Sequence, residues 1–209
     1  WCFSADLCRP IQLYFESEIM SKLTVLTPPD EPAVSVAAVK NYLRVGHDGE
    51  DDLISDLTQA ATARLEQVAG LALVRQTLQL SWVRWPSAIS GRGERLPVSP
   101  IARLNAVLVI DASGGETDLT ERFQIECGRL RLRPWSMLPR VSPADGIIIR
   151  FDAGFGAASD LPDDLQAAVL RLVAATYSSR QTGVTAFDLK AGLPVEVQSI
   201  LDARREVRL

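Results

Sequence analysis

The spacing of hydrophobic residues changes twice along this chain. Residues 35–69 and 162–207 repeat apolar positions three or four apart, which is typical of helices that bury one face. Between them, over residues 73–151, apolar and polar positions alternate as in half-exposed strands. The pattern predicts an α+β fold: N- and C-terminal helix pairs form a helical bundle, and a small β-sheet domain is inserted between them.

The same changes of spacing divide the chain into four predicted segments: an N-terminal arm at 1–34, a first helical part at 35–72, a β insertion at 73–153, and a second helical part with a C-terminal docking tail at 154–209. Met20 is followed by Ser-Lys-Leu, so residues 1–19 are interpreted as sequence upstream of the natural start. An amino-terminal arm that reaches a neighbouring molecule is the alternative interpretation.

Two helices are predicted in the first helical block. Ser35 can cap the first helix, because its hydroxyl can accept a free backbone N–H. Carboxylates within residues 48–52 favour the start of the second helix, and Gly70 favours its end, since glycine readily adopts a left-handed conformation. The buried positions are predicted to be Val36, Val39 and Leu43 in the first helix, and Leu53, Leu57, Ala61, Leu65 and Val68 in the second.

About five strands are predicted in the middle block. Their inward-facing residues are predicted to include Leu78, Leu80 and Trp82, then Phe123, Ile125 and Cys127, and finally Ile147, Ile149 and Phe151. Residues 86–100 interrupt the strands with a polar, proline-bounded segment that is long enough to move or to contact a partner. We expect that segment to lie on the surface.

The helix predicted to begin at Pro162 is apolar around most of its circumference. Such a helix is buried on several sides, either by its own fold or by another subunit. Part of it is predicted to form a subunit interface, through Leu165, Val169, Leu172 and Val173. A shorter helix starts after Pro194, and the chain ends in arginines interleaved with apolar residues. That composition is typical of a docking peptide, with a frayed terminus as the alternative.

Length and composition narrow the classes of function. The 209 residues fit one ordinary domain, or one domain with a sizeable insertion. No run approaches the roughly 18 consecutive apolar residues of a membrane span, so no membrane partner is predicted. The formal charge of -4 argues against a dedicated nucleic-acid binder. The cysteines at positions 2, 8 and 127 match neither a metal pattern nor a disulfide framework, which makes a reducing cytoplasm the default compartment.

Reactive side chains are sparse. His47 is the single histidine, and no pattern supplies the carboxylate and nucleophile that a catalytic histidine needs. The acidic stretch does not form a calcium loop, because the twelfth position counted from Asp48 is Gln59. We therefore predict no catalytic, metal or cofactor site. One basic strand face could follow phosphates or meet an acidic partner, with a plain solvated face as the alternative: Arg129, Arg131 and Arg133.

Several short segments, in order along residues 32–180, carry a resemblance to a known family. They are Pro-Ala-Val-Ser at 32–35, Leu-Arg-Val at 43–45, the acidic stretch at 48–52, Ala-Gly-Leu-Ala-Leu at 69–73, Ile-Arg-Phe-Asp-Ala-Gly-Phe-Gly at 149–156, and Leu-Pro-Asp-Asp-Leu at 161–165. Together they resemble the head-tail connector (adaptor) proteins of long-tailed phages and phage-like gene transfer agents. Residues 1–19 and the 86–100 loop depart from the family pattern. The resemblance therefore does not identify a partner for the loop.

The resemblance implies a structural protein without enzymatic activity, located in the neck of a virion or phage-like particle and assembled in the host cytoplasm. Such adaptors form a homo-oligomeric ring, typically a dodecamer, beneath the capsid portal protein, and they link it to a downstream connector or stopper protein. Double-stranded DNA passes transiently through the ring, and the three strand arginines are candidates for a channel or partner face. The family's terminal tail docks on the portal, and by position that role falls here on Leu201, Arg204, Arg205, Val207, Arg208 and Leu209.

Two alternatives stay open at this point. One is a stopper or tail terminator of the same particle, which we expect to be dominated by β-structure and to lack the terminal helix pair. The other is a small DNA-binding protein or an enzyme. The mild acidity of the chain favours a conduit that DNA crosses without binding, because each phosphate contact adds salt-sensitive affinity.

Overall fold

Helices and strands lie in blocks along the chain, and the fold is α+β, which confirms the predicted class. The computed structural model describes residues 21–142, 145–179 and 193–204. Within these ranges the strands are β1 Ser21–Thr27, β2 Gln76–Trp82, β3 Glu94–Arg95, β4 Ile101–Ile110, β5 Glu116–Asp118, β6 Phe123–Glu126, β7 Arg129–Leu132 and β8 Gly146–Ala153. The helices are α1 Val36–Leu43, α2 Asp51–Ala69, α3 Asp163–Ser179 and α4 Val195–Arg204.

The strands form two antiparallel sheets. The larger sheet has the order β1-β2-β8-β4-β5, and the smaller one has the order β3-β7-β6. The described residues thus contain more strands than the five or so predicted from the alternation. β1 lies inside the segment predicted as an N-terminal arm and pairs with β2, with Leu23 opposite Leu80 and Val25 opposite Leu78. β1 was not predicted from the sequence, and every one of its residues is exposed.

Two hydrophobic cores organise the molecule. The helical core joins all four helices and includes Leu65 of α2, Leu165 of α3 and Val197 of α4. The sheet core contains Trp82 of β2 and Phe123 of β6, together with the alternate residues of β8. The inward faces predicted for β2 and β8 are confirmed, because burial alternates residue by residue along both strands.

The predicted helix ends in the first block are confirmed. The Ser35 hydroxyl accepts the Ala38 N–H at 3.3 Å at the start of α1. Gly70 ends α2 with φ +64, and its N–H donates to the Glu66 carbonyl. These contacts satisfy backbone groups that a helix end otherwise leaves without partners.

The buried stripe predicted for α2 is wrong at both ends. Ala61 and Leu65 are buried as predicted, but Leu53 and Val68 are exposed. The buried face continues instead through Ile54 and Thr58, which share the helix face of Ala61 and Leu65 at spacings of four and three. Thr58 tolerates burial because its hydroxyl donates to the Ile54 carbonyl at 2.7 Å.

The 86–100 segment is less exposed than predicted. Ile89 is fully buried and Leu96 almost so, and both belong to the sheet core. β3, within this segment, pairs with β7. Ser99 then exchanges backbone hydrogen bonds with the turn after α2, donating to Gly70 and accepting from Ala72. Val98 also packs against this core, so three apolar residues tie a mostly polar segment into it.

Cys127 is also placed differently from the prediction. It lies in the turn between β6 and β7 with φ +49, and its side chain is exposed. β6 ends at Glu126, so the alternation that would have turned Cys127 inward stops one residue earlier.

A tight Gly-Phe-Gly turn connects β8 to the helical core. The Gly154 N–H donates to the Pro100 carbonyl at 2.9 Å, and the Arg75 N–H donates to the Gly156 carbonyl at 2.8 Å. Gly154 has φ +122, and a Cβ there would lie 2.5 Å from the Val74 carbonyl oxygen. The close passage of β8 past the start of β2 therefore requires glycine at position 154.

Glu66 supports the same junction from α2. Its Oε1 accepts the Leu73 N–H at 2.8 Å and the Gln76 side-chain amide at 3.3 Å. Burial raises the pKa of the Glu66 carboxyl above its usual range, although these two donors oppose the shift. Glu66 therefore connects the helical core to the beginning of β2.

Candidate assembly surfaces

The outer edge of the large sheet carries exposed apolar side chains. β1 is the edge strand, and no strand in the described part of the chain pairs with its outer side. Leu23 and Val25 lie opposite the buried Leu80 and Leu78, so they project from the core-facing side of the sheet. Their exposures are 40% and 51%. We call these two residues the edge ledge; it extends the apolar face of the sheet beyond the part that this chain covers.

A second apolar surface lies on the loop that follows β7. Trp135 is fully exposed at 102% and Met137 at 80%. Trp135 has φ +66, a conformation that is uncommon for a residue other than glycine. We call this pair the loop knob.

The loop knob is held in place by hydrogen bonds. The Arg122 guanidinium donates to the Met137 carbonyl at 2.9 Å, and the Trp85 indole donates to the Pro139 carbonyl at 3.2 Å. The Ser136 N–H donates to the Arg133 carbonyl at 3.2 Å. The loop therefore presents a tryptophan and a methionine to solvent from an anchored backbone, and both residue types are enriched where proteins bind one another.

The three predicted face arginines lie on or next to β7, and each contacts its own sheet. Arg129 donates to the Gly93 carbonyl at 3.3 Å, and Arg133 donates to the Phe123 carbonyl at 3.1 Å. Arg131 pairs with Glu126 at 3.1 Å, and both side chains are about half exposed. An exposed pair of this kind adds little stability. A role for these arginines towards DNA or a partner stays a prediction.

The predicted interface residues of α3 lie inside the subunit. Leu165, Val169, Leu172 and Val173 are all 0–1% exposed and belong to the helical core of their own chain. Their side chains thus explain the apolar circumference of α3 by burial within the fold. Contact of these residues with a neighbouring subunit stays a prediction.

The predicted portal-binding segment begins inside the structure and continues outside it. Leu201 is 7% exposed and packs into the helical core, while Arg204 is the last residue of α4. Arg205, Val207, Arg208 and Leu209 lie outside the described residues. The structure therefore shows that the start of the predicted segment is packed into the helical core.

The carboxylates at the start of α2 bind side chains of the same chain. The Lys40 ammonium bonds Asp48 at 2.6 Å and Asp51 at 2.7 Å. Hydrogen bonding to these carboxylates raises the pKa of Lys40, and the bond to Lys40 lowers the pKa of Asp48. The Tyr177 hydroxyl donates to Glu50 at 2.5 Å and joins α3 to the start of α2. No group of three or more potential metal ligands occurs among the residues that the structure describes.

An open cleft of about 510 Å³ lies between β4 and β6. Its wall carries Arg103, Glu121 and Arg133 but neither histidine nor cysteine. The charged groups of this wall are thus one carboxylate and two guanidinium groups. In the described ranges, no helix is long and apolar enough to cross a membrane.

Chains of solved structures that are similar to this protein include three from GTA particles. The first is a chain from the virion of a native gene transfer agent (GTA) particle, with 29% identity and a TM-score of 0.73, covering 90% of this chain and 96% of that one. The second, from the neck of an empty GTA particle computed with C6 symmetry, has 29% identity, a TM-score of 0.72 and coverage of 90% and 97%. The third, from the neck of a native GTA particle computed with C12 symmetry, has 28% identity, a TM-score of 0.71 and the same coverage.

No family model matches the chain, and no curated protein matches it. The structural similarity nevertheless extends over 90% of this chain and nearly all of each compared chain. It supports a structural component of a GTA-type neck, and the C6 and C12 symmetries of two similar necks support a ring.

Sequence reasoning missed both exposed apolar surfaces. The signal for the edge ledge was the short alternation of Leu23, Thr24 and Val25 ahead of the prolines. The signal for the loop knob was a tryptophan and a methionine within a proline-rich loop. Each signal is weak alone, because single exposed apolar residues are common on protein surfaces.

Proposed function

We propose that this protein is the head-tail adaptor of a phage-like gene transfer particle. Its copies form a dodecameric ring beneath the capsid portal. The ring links the portal to the next neck protein and lines the DNA channel. The observation that carries the proposal is similarity along nearly the whole chain to chains of GTA virions and necks, two of them reconstructed with cyclic symmetry.

The surface chemistry fits a channel that DNA crosses without being held. The formal charge is -4, and the arginines next to β7 already contact their own sheet. Each of twelve copies would add the same negative charge, which limits the number of phosphates that the ring neutralises. Because every neutralised phosphate adds salt-sensitive affinity, few such contacts leave DNA free to move.

The proposed portal contact follows from the position of α4. Val197 and Leu201 hold this helix in the helical core, and residues 205–209 follow it in the chain. The segment combines two apolar residues, Val207 and Leu209, with arginines that can bond carboxylates or carbonyls of a partner. In this proposal Leu201 holds the helix while the residues after it bind the portal.

Co-purification with the portal protein of the same particle tests this proposal. The full chain is expected to remain bound to the portal, whereas a chain that lacks residues 205–209 is expected to elute separately with an unchanged circular dichroism spectrum. An Arg171→Ala variant is the matched control, since it removes an exposed arginine of α3 and leaves the tail intact. Undiminished portal binding by the shortened chain would refute the docking role.

Imaging of the particle tests the location. The proposal expects density for this chain directly below the portal. Density at the tail-proximal end of the neck would instead favour a stopper or tail terminator, and absence from the neck would remove the proposal altogether.

A further inference from the structure

The edge ledge and the loop knob lie on different elements of the β region. β1 carries the edge ledge at one edge of the large sheet. The loop knob is anchored through Arg122 to a short 3-10 helix, Thr120–Arg122, which hydrogen-bonds to β4 at Val107. β4 is three strand spacings from β1, which is about 14 Å. Trp135 is fully exposed, so the knob does not cover the ledge of its own chain.

A ring closed by rotation uses two different patches on every subunit. One patch of each copy meets the other patch of the next copy, in contrast to a two-fold dimer, in which a patch meets itself. This chain offers two different exposed apolar patches on separate elements, as a ring contact requires. The C6 and C12 symmetries of the similar necks make a second copy the occupant to consider first.

We propose that the loop knob of one copy, Trp135 and Met137, packs on the edge ledge of the next copy, Leu23 and Val25. The inference rests on the proposed function, because it assigns the contact between neighbours in that ring. A buried tryptophan removes about 150–250 Å² of its own surface from water and commonly dominates an interface. The ledge supplies the matching apolar surface, continuous with the sheet core of its own subunit.

Crosslinking within assembled particles tests the pairing. The starting variant has its three native cysteines replaced by serine, and Leu23→Cys and Trp135→Cys are added singly and together. Treatment with a short bis-maleimide is expected to give a ladder of multimers, up to the full ring, only in the double variant. Dimers from either single variant would indicate a patch that meets itself and would overturn the proposal.

Two further results separate this inference from the proposed function. If the chain is present in normal necks and the double variant gives no ladder, or crosslinks only to another neck protein, the pairing is wrong while the adaptor role stands. If the chain is missing from the necks, both are wrong.

A charge placed on the ledge gives an independent measurement. Val25→Asp puts a carboxylate on the core-facing side of β1, and Thr24→Asp puts the same group on the opposite face of the same strand. We expect Val25→Asp to lower incorporation into necks at least about tenfold, because an unpaired carboxylate is costly in an apolar contact, and Thr24→Asp to leave it unchanged. Both variants should remain folded, since both positions are exposed. Equal incorporation of the two variants would overturn the proposal.

Discussion

Replacement of Gly154 by alanine should destabilise the protein severely. An alanine there must take φ +122, and its Cβ would lie 2.5 Å from the Val74 carbonyl oxygen and 2.7 Å from the Arg75 Cα. Backbone strain of this kind costs about 1–3 kcal/mol. Forcing the start of β2 away from the new methyl group costs about 1–3 kcal/mol more. We expect the free energy of unfolding to fall by about 2–6 kcal/mol, a large part of the stability of an ordinary domain.

Urea denaturation followed by circular dichroism measures this loss as a lower transition midpoint. Gly146→Ala is the matched control, because Gly146 begins the same strand and a Cβ there would meet nothing within 4 Å. That variant should unfold within about 1 kcal/mol of the original protein. A Gly154→Ala variant as stable as the Gly146→Ala control would refute the close approach between the turn and β2.

Two further predictions concern the junction and the tail. The raised pKa of Glu66 means that the folded state binds more protons than the unfolded state above the ordinary value near 4.5, so stability falls as pH rises through that region. A Glu66→Gln variant should lose this pH dependence. Urea denaturation at several pH values should therefore show that the free energy of unfolding of the variant, minus that of the original protein, increases with pH. A difference that does not change with pH would contradict this prediction. Leu201→Ala should lower the free energy of unfolding by about 2–5 kcal/mol because it leaves a cavity in the helical core, whereas Arg205→Ala should weaken portal binding without changing the denaturation midpoint. Equal stability of the Leu201→Ala and Arg205→Ala variants would contradict the core position of Leu201.

The sequence predicted those features that local chemistry decides. Ser35 and Gly70 mark helix ends because cap geometry depends on a few neighbouring atoms, and both positions are confirmed. The inward face of β2 followed from strict alternation. These signals need no knowledge of the rest of the fold.

Features decided by distant parts of the chain were harder to predict. The helices packed on α2 bury the face that contains Ile54 and Thr58, whereas the apolar spacing along the sequence predicted Leu53. Cys127 continues an alternating pattern, but β6 ends one residue before it. β1 pairs with a strand about fifty residues away, and its exposed side chains leave no burial pattern.

The assembly surfaces show the same limit. The apolar circumference of α3 suggested a neighbouring subunit, but four helices of one chain bury Leu165 and Val173 completely. The edge ledge and loop knob become visible only when the fold shows which apolar residues stay uncovered. Exposure in the folded chain, rather than hydrophobicity along the sequence, thus distinguishes an interface candidate from a core helix.

A reconstruction of the particle neck at side-chain resolution tests the ring and its portal contact together. We predict a closed ring of copies of this chain immediately below the portal. Residues 205–209 of each copy should lie against the portal, and Trp135 of each copy should lie near Leu23 of the next. A neck whose ring is built from another protein, with this chain absent, would contradict the account.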